Sequence, residues 1–157
     1  MSDAFGQAVG FATPPRIEAI LRQAANSYAD TTSAEFLLWT ALKTDPECLG
    51  SYFSLYKFYF YKRMLTDAEG VALSALETAA RQGGFNVDWT SLDANSCDWH
   101  RVDAPQHFYL FTLKALAFMR LRLGRLEESQ AILAKLHELD PHDSVGASVI
   151  RDIALKA

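Results

Sequence analysis

A chain of 157 residues is the size of a single domain and buries roughly two-thirds of its unfolded surface, so its core needs no disulfide or metal staple. Half of its residues are apolar, 22% are charged and the formal net charge is −4, a balance that argues against a nucleic-acid binder, which would carry a basic face. Two cysteines, Cys48 and Cys97, without a CxxC pair, fit reduced thiols in a cytoplasm better than a secreted disulfide framework.

Residues 1–13 lack both the basic n-region and the continuous apolar h-region of a secretory signal, and read as a flexible segment ahead of one domain, 14–157. No stretch approaches the length of apolar run that spans a membrane, so a soluble, cytoplasmic protein is expected. Thr13 is placed to cap a helix beginning at Pro14. In it Ile17, Ile20, Leu21 and Ala24 recur at three- and four-residue intervals, one apolar stripe over about 14–28. Thr32 with Glu35, and Thr66 with Glu69, have capping-box spacing and predict two further starts. The helices after Thr32 and Gly124 end in Asp-Pro at Pro46 and Pro141, and the one after Thr66 ends in Gly83-Gly84; both are stop signals. Each follows a more hydrophobic helix, at 14–28, 48–63 and 105–123, the last expected to be capped by Asp103 with Gln106. Paired helices at a repeated spacing predict an all-α solenoid.

The residues that carry this spacing resemble the tetratricopeptide repeat. Counting back from Pro46 gives a first repeat over 15–48, with Leu21, Ala34, Leu38 and Ala41 at pattern positions. A second, over 49–82, has Leu55, Tyr56, Tyr59, Ala68, Ala72 and Ala75. A third, over 110–143, has Leu116, Ala117, Gly124, Leu133 and Leu139. Arg22, Ser129 and Leu136 stand where the pattern wants small residues, and repeat two lacks the closing proline. The resemblance implies a right-handed superhelix of about three antiparallel helix pairs. Residues 144–157, with Val149, Ile150 and Ile153 on one face, would form a helix that seals its end.

Between repeats two and three lies an inserted loop, 83–104, with a short echo: DWTSLDA from Asp88, then DWHRVDA from Asp98. Two readings stay open for it. Trp89 and Trp99 pack down as lids over the core, or Trp89, Asp93, Trp99 and Arg101 form an exposed acidic-aromatic contact for a partner.

No catalytic or cofactor pattern occurs. His100, His107, His137 and His142 lack zinc-ligand spacing, Cys97 with His100 is an isolated CxxH, and no phosphate loop, GxSxG or HExxH is present. A non-catalytic protein without metal or cofactor is expected. The tetratricopeptide resemblance implies binding on a concave face lined by the first helix of each repeat. Mapped onto this chain, that face carries Arg16, Gln23 and Asn26, then Phe53, Lys57, Phe60 and Tyr61, then Phe111, Lys114, Phe118, Leu121 and Arg122. Aromatic rings interleaved with cations suit an amphipathic or acidic segment of another protein. The same groove could instead be filled by the chain's own tail or loop, since so much exposed aromatic surface is hazardous in a monomer. The lysine and asparagine positions by which some such domains grip chaperone C-termini are Ala19, Gln23, Ser54, Phe111 and Ala115 here, which argues against that role.

Three segments, 54–62, 103–125 and 139–152, are similar to the nitrogenase-associated factor T family, small tetratricopeptide proteins of nitrogen-fixing bacteria. That resemblance implies an accessory factor for the nitrogenase molybdenum-iron protein, in an inactive or immature form. Three repeats and a sealing helix also resemble the translocator chaperones of type III secretion, which hold an extended client segment in the groove. The inserted loop departs from that pattern.

Overall fold

The computed structural model describes residues 12–156; the segment expected to be flexible lies outside them, apart from its last two residues. The described residues form seven α-helices, one 3-10 turn and no strand. The helices are α1 (Pro15–Asn26), α2 (Thr31–Thr44), α3 (Leu49–Tyr61), α4 (Leu65–Gly83), α5 (Pro105–Arg122), α6 (Leu126–Leu139) and α7 (Ala147–Leu155), and the turn is Trp89–Ser91. Short connections fold each helix onto the last, giving the pairs α1/α2, α3/α4 and α5/α6; α4 also packs along α5, and α7 against α5 and α6. None of these helices is long and apolar enough to cross a membrane.

Small residues allow the close approach of helices. Ala68, Ala72, Ala75 and Ala79 put a fully buried alanine stripe on α4, at the spacing of one helix face, where α3 and α5 press against it. Ala34 and Ala41 do the same for α2. Ser129, on α6, is completely buried and its hydroxyl donates to the Ala117 carbonyl at 2.7 Å, which satisfies the polar atom that replaces an alanine's hydrogen. The centre of the core holds Tyr56, Phe108, Tyr109, Leu113, Leu116 and Met119. From Phe108 to Met119 every residue of α5 is buried, as expected of a helix apolar on all sides.

Helix ends follow the expected stop signals more closely than the expected starts. Gly84 ends α4 in the left-handed conformation at φ 76°, with its amide and that of Phe85 both on the Ala80 carbonyl, a closure that glycine makes without steric cost. Asp45 and Asp140 end α2 and α6 alike, each amide on the carbonyl four residues back, with proline next. The starts differ. The α1 cap is Pro14 without a side-chain bond, so Thr13 does not cap it. Asp30, not Thr32, caps α2, its carboxylate accepting from the Ser33 amide at 3.2 Å. No side chain caps α4 or α5; Gln106 instead donates to the Asp98 carbonyl at 3.0 Å. Glu35 and Glu69 are engaged by distant residues, as described below.

Candidate functional site

α3 and α5 lie side by side and present rings of the same height. Phe53 meets Phe111 edge to face at 5.5 Å between centroids, and Phe60 lies 5.0 Å from Phe118. Lys57 holds its ammonium over the Phe53 ring at 5.4 Å, and Lys114 holds its own over Phe111 at 4.6 Å, both within the range of cation–π attraction. The result is an aromatic ladder of two helices with a lysine on each. Tyr61 packs edge to face on Phe60 at 5.5 Å.

This wall is less open than the sequence suggests. Phe60, Phe111, Lys114 and Phe118 are 9, 5, 5 and 6% exposed. Phe53, Lys57, Tyr61 and Leu121 are half-buried, and Arg122 at the end of α5 is exposed. The accessible part of the surface is therefore its α3 side. There a cleft of about 260 Å³ runs between α1, α2 and α3, with Leu21, Tyr28, Phe53, Lys57, Phe58 and Tyr61 among its walls.

The contribution of α1 differs from the one expected. Arg16, Gln23 and Asn26 are exposed, and Gln23 borders a separate shallow hollow with Phe36. The cleft takes its α1 side from Leu21, Ala24, Ala25 and Tyr28. Extending the stripe of Ile17, Leu21 and Ala24 by one more helical turn would have reached Tyr28. Lys62 fixes that tyrosine, its ammonium 4.0 Å above the ring and donating to the Tyr28 carbonyl at 2.8 Å.

The inserted loop is tied down along much of its length. Trp99 is buried, donates its indole N–H to the Asp93 carbonyl at 2.8 Å, meets Phe85 edge to face and lies tilted against Tyr109. Tyr109 donates to the Val87 carbonyl, and Lys135 of α6 donates to the Leu92 carbonyl at 2.7 Å. Trp89 is half-buried beneath the Arg120 guanidinium, 5.4 Å from its ring centre. The lid reading thus fits Trp99 fully and Trp89 in part. Asp93 and Arg101 are exposed; Arg101 pairs with Asp103 at 3.4 Å.

The sequence echo corresponds to a repeated turn. Asp88 accepts from the Thr90 amide at 3.0 Å, and Asp98 from the His100 amide at 3.1 Å, the local closure that aspartate favours. Beyond that the copies diverge: Leu92 is 2% exposed and Val102 58%.

Charged and titratable groups nearby are mostly structural. Glu69 of α4 accepts from Arg120 at 3.0 Å and from Arg125 at 2.9 Å, joining α4 to α5 and to the turn before α6. Burial raises its carboxyl, but hydrogen bonds from Arg125 and Arg120 outweigh this and hold it below the ordinary glutamate value. Tyr59 donates to Glu35 at 2.6 Å and accepts from the Trp39 indole at 2.8 Å. Burial, assisted by the Glu35 bond, pushes its phenol up to about 12. Burial, with Asp98 nearby, pushes the Cys97 thiol up to about 11, so it is a protonated thiol at neutral pH. Burial also lowers His107, against the opposing pull of Asp140. Among the described residues, no group of three or more His, Cys, Asp or Glu side chains is placed to hold a metal ion.

The chain is 32% identical over 132 residues to a protein of Azotobacter chroococcum mcd 1 described as an uncharacterized 19.8 kDa protein in the nifW 5' region. The alignment covers 83% of this chain and 73% of that one. The chain belongs to the same family as that protein. No protein-family model matches it, and no solved structure matches it.

Proposed function

We propose that this chain is a non-catalytic tetratricopeptide-type protein of nitrogen fixation that binds another protein through the α3 side of its aromatic wall. Its partner is the nitrogenase molybdenum-iron protein, in an inactive or immature form. The observation that carries the nitrogen-fixation reading is the family relationship to a protein described by its place beside nifW. The tetratricopeptide reading is supported by the burial of its pattern positions: Ala34, Leu38, Ala41, Leu55, Ala68, Ala72, Ala75, Leu116 and Leu133 all lie in the core. It is supported too by Ser129, whose hydroxyl finds a backbone acceptor, and by the paired helices with their Asp-Pro stops.

The mode of binding follows from what remains accessible. Phe53, Tyr61 and Tyr28 offer ring faces and edges around a cleft, and Lys57 offers a cation at its rim. Large rigid rings contribute contact area at small entropic cost, and one that becomes fully buried can be worth about 2 kcal/mol or more at an interface. A partner segment with apolar side chains and a carboxylate matches the chemistry of both kinds of group. The role of the bound protein is protection or maturation of its partner, since the chain's own side chains offer steric cover and charge.

The test is direct capture. Tagged full-length protein is mixed with extracts of nitrogen-starved cells that hold active, inactivated or cofactor-free nitrogenase. The molybdenum-iron protein is expected to co-purify at a fixed ratio, preferentially from the inactivated or immature extracts. Absence of that protein from the eluates of all three extracts would reject the partner.

A further inference from the structure

α2 and α4 both pack on α3 but not on each other, which leaves a hollow of about 440 Å³ between them. Tyr52 and Tyr59 of α3 line it, with Trp39 and Leu42 of α2 and Asp67 and Gly70 of α4. The two tyrosines lie two helical turns apart, on a different face of α3 from Phe53 and Lys57. No basic residue is among the described ones that line the hollow. Among the described residues neither Asp67 nor Glu35, which accepts from the Tyr59 hydroxyl, has an ion pair. Glycine weakens a helix interior relative to alanine, so Gly70, inside α4, needs a reason. Gly84, Gly124 and Gly146 have positive φ, and a Cβ at Gly50 or Gly83 would strike the side chain of Thr13 or Phe85. At Gly70 a Cβ would meet nothing within 4 Å. Packing within the described chain does not require glycine there, whereas an occupant of the hollow would.

We propose that this hollow receives an arginine side chain presented by a protein partner. Rings and carboxylates together select a cation: tryptophan and tyrosine attract it through their electron-rich faces, and Asp67 with Glu35 supplies the counter-charge. Arginine suits the site better than lysine, because its planar guanidinium both stacks on rings and donates two parallel N–H groups to a carboxylate. The volume falls within the range of about 300–1,000 Å³ typical of ligand pockets. The walls are fixed in advance. The Trp39 indole donates to Tyr59, whose hydroxyl donates to Glu35, and Tyr52 donates to the Pro46 carbonyl at 3.0 Å while accepting from Thr78 at 3.2 Å. Such pre-organisation lowers the entropic cost of binding. Burial is the main cause that raises the Tyr59 phenol, and Glu35 and Asp67 both add to it, so the two carboxylates act on the same spot. A cation placed there is attracted by both. The site is separate from the α3 side of the aromatic wall and stands whatever binds that surface.

The experiment titrates the full-length, nitrogen-15-labelled chain with a short acetylated and amidated peptide, one arginine flanked by alanines. The Trp39 indole signal is expected to shift saturably while those of Trp89 and Trp99 stay in place. The same peptide with citrulline or leucine for arginine, and tetramethylammonium chloride, should each bind about tenfold more weakly or worse. Equal affinity for the citrulline or leucine peptide would mean that charge is not read, and equal affinity for tetramethylammonium would mean a site for free small cations. A Trp39 signal that moves on dilution of the protein alone would mean that a second copy sits in the hollow. Each of these overturns the proposal, as does the absence of a saturable shift. Two variants complete the test. Gly70→Leu fills the hollow and improves helix propensity, so it is expected to melt no lower than the parent and to lose the shift. Asp67→Asn is expected to keep the far-ultraviolet circular dichroism of the parent and to weaken peptide binding about tenfold. Parent-like affinity in either folded variant would also overturn it.

Discussion

Phe60 of α3 and Phe118 of α5 lie 5.0 Å apart between ring centroids, tilted by 45°, and are each less than a tenth exposed. This contact joins the second helix pair to the third, so each ring is part of the packing as well as of the wall.

Replacing either ring with alanine should therefore cost stability. Loss of a buried phenylalanine costs about 3–5 kcal/mol, with the lower end expected here because the wall can partly collapse. Phe60→Ala and Phe118→Ala should each lower the urea midpoint, and the double variant should lose less than the sum, since the two remove one shared contact. Unfolding curves of all three variants decide it: single variants as stable as the parent would show that the rings are not part of the core.

Glu69 predicts a pH dependence. A carboxyl held below its unfolded value contributes stability above that value, about 4.3, and loses the contribution as pH falls through the folded value. Glu69→Gln should be about 2 kcal/mol less stable than the parent at pH 7, the scale of hydrogen bonds to charged groups. The gap should close as pH falls below the unfolded value and through the lower folded one. A gap that is unchanged at acid pH would show that the carboxylate charge is not what links α4 to Arg120 and Arg125.

Arg63 and Gly124 occupy matching turns after α3 and α5. Both are left-handed, at φ 62° and 81°, and the next residue's amide donates to a carbonyl five residues back in each case: Met64 to Tyr59, and Arg125 to Arg120. A side chain in that conformation costs roughly 1–2 kcal/mol, offset in part by the greater unfolded freedom of glycine. Arg63→Gly should then raise stability by about 0.5–1 kcal/mol, and Gly124→Arg should lower it by a similar amount, as read from thermal or urea melts. Destabilisation by Arg63→Gly would contradict the equivalence of the two turns.

Much of the architecture was legible in the amino-acid pattern, and the exceptions share a cause. The apolar runs at 48–63 and 105–123 correspond to α3 and α5 within two residues, and Pro46, Gly84 and Pro141 follow the ends of α2, α4 and α6, because helical periodicity and stop signals act locally. The capping boxes failed because their carboxylates have stronger calls from afar: Glu35 accepts from Tyr59 and Glu69 from two arginines, contacts between residues 24 to 56 positions apart. Spacing within one helix cannot show such partners. The wall residues were found by their place on α3 and α5, but not their degree of burial, which depends on what lies over them. Tyr28 was missed because the α1 stripe was ended one turn early.

The most direct test of the account is the affinity of the full-length chain for purified nitrogenase molybdenum-iron protein, parent against the wall variant Lys57→Glu, Tyr61→Asp. Both residues are half-buried and touch neighbouring rings, so affinities are compared at a temperature where circular dichroism shows parent and variant equally folded. Loss of a cation and a ring from the interface should weaken binding at least tenfold, about 1.4 kcal/mol. Equal affinity of parent and variant, or no binding by the parent to any form of that protein, would contradict it.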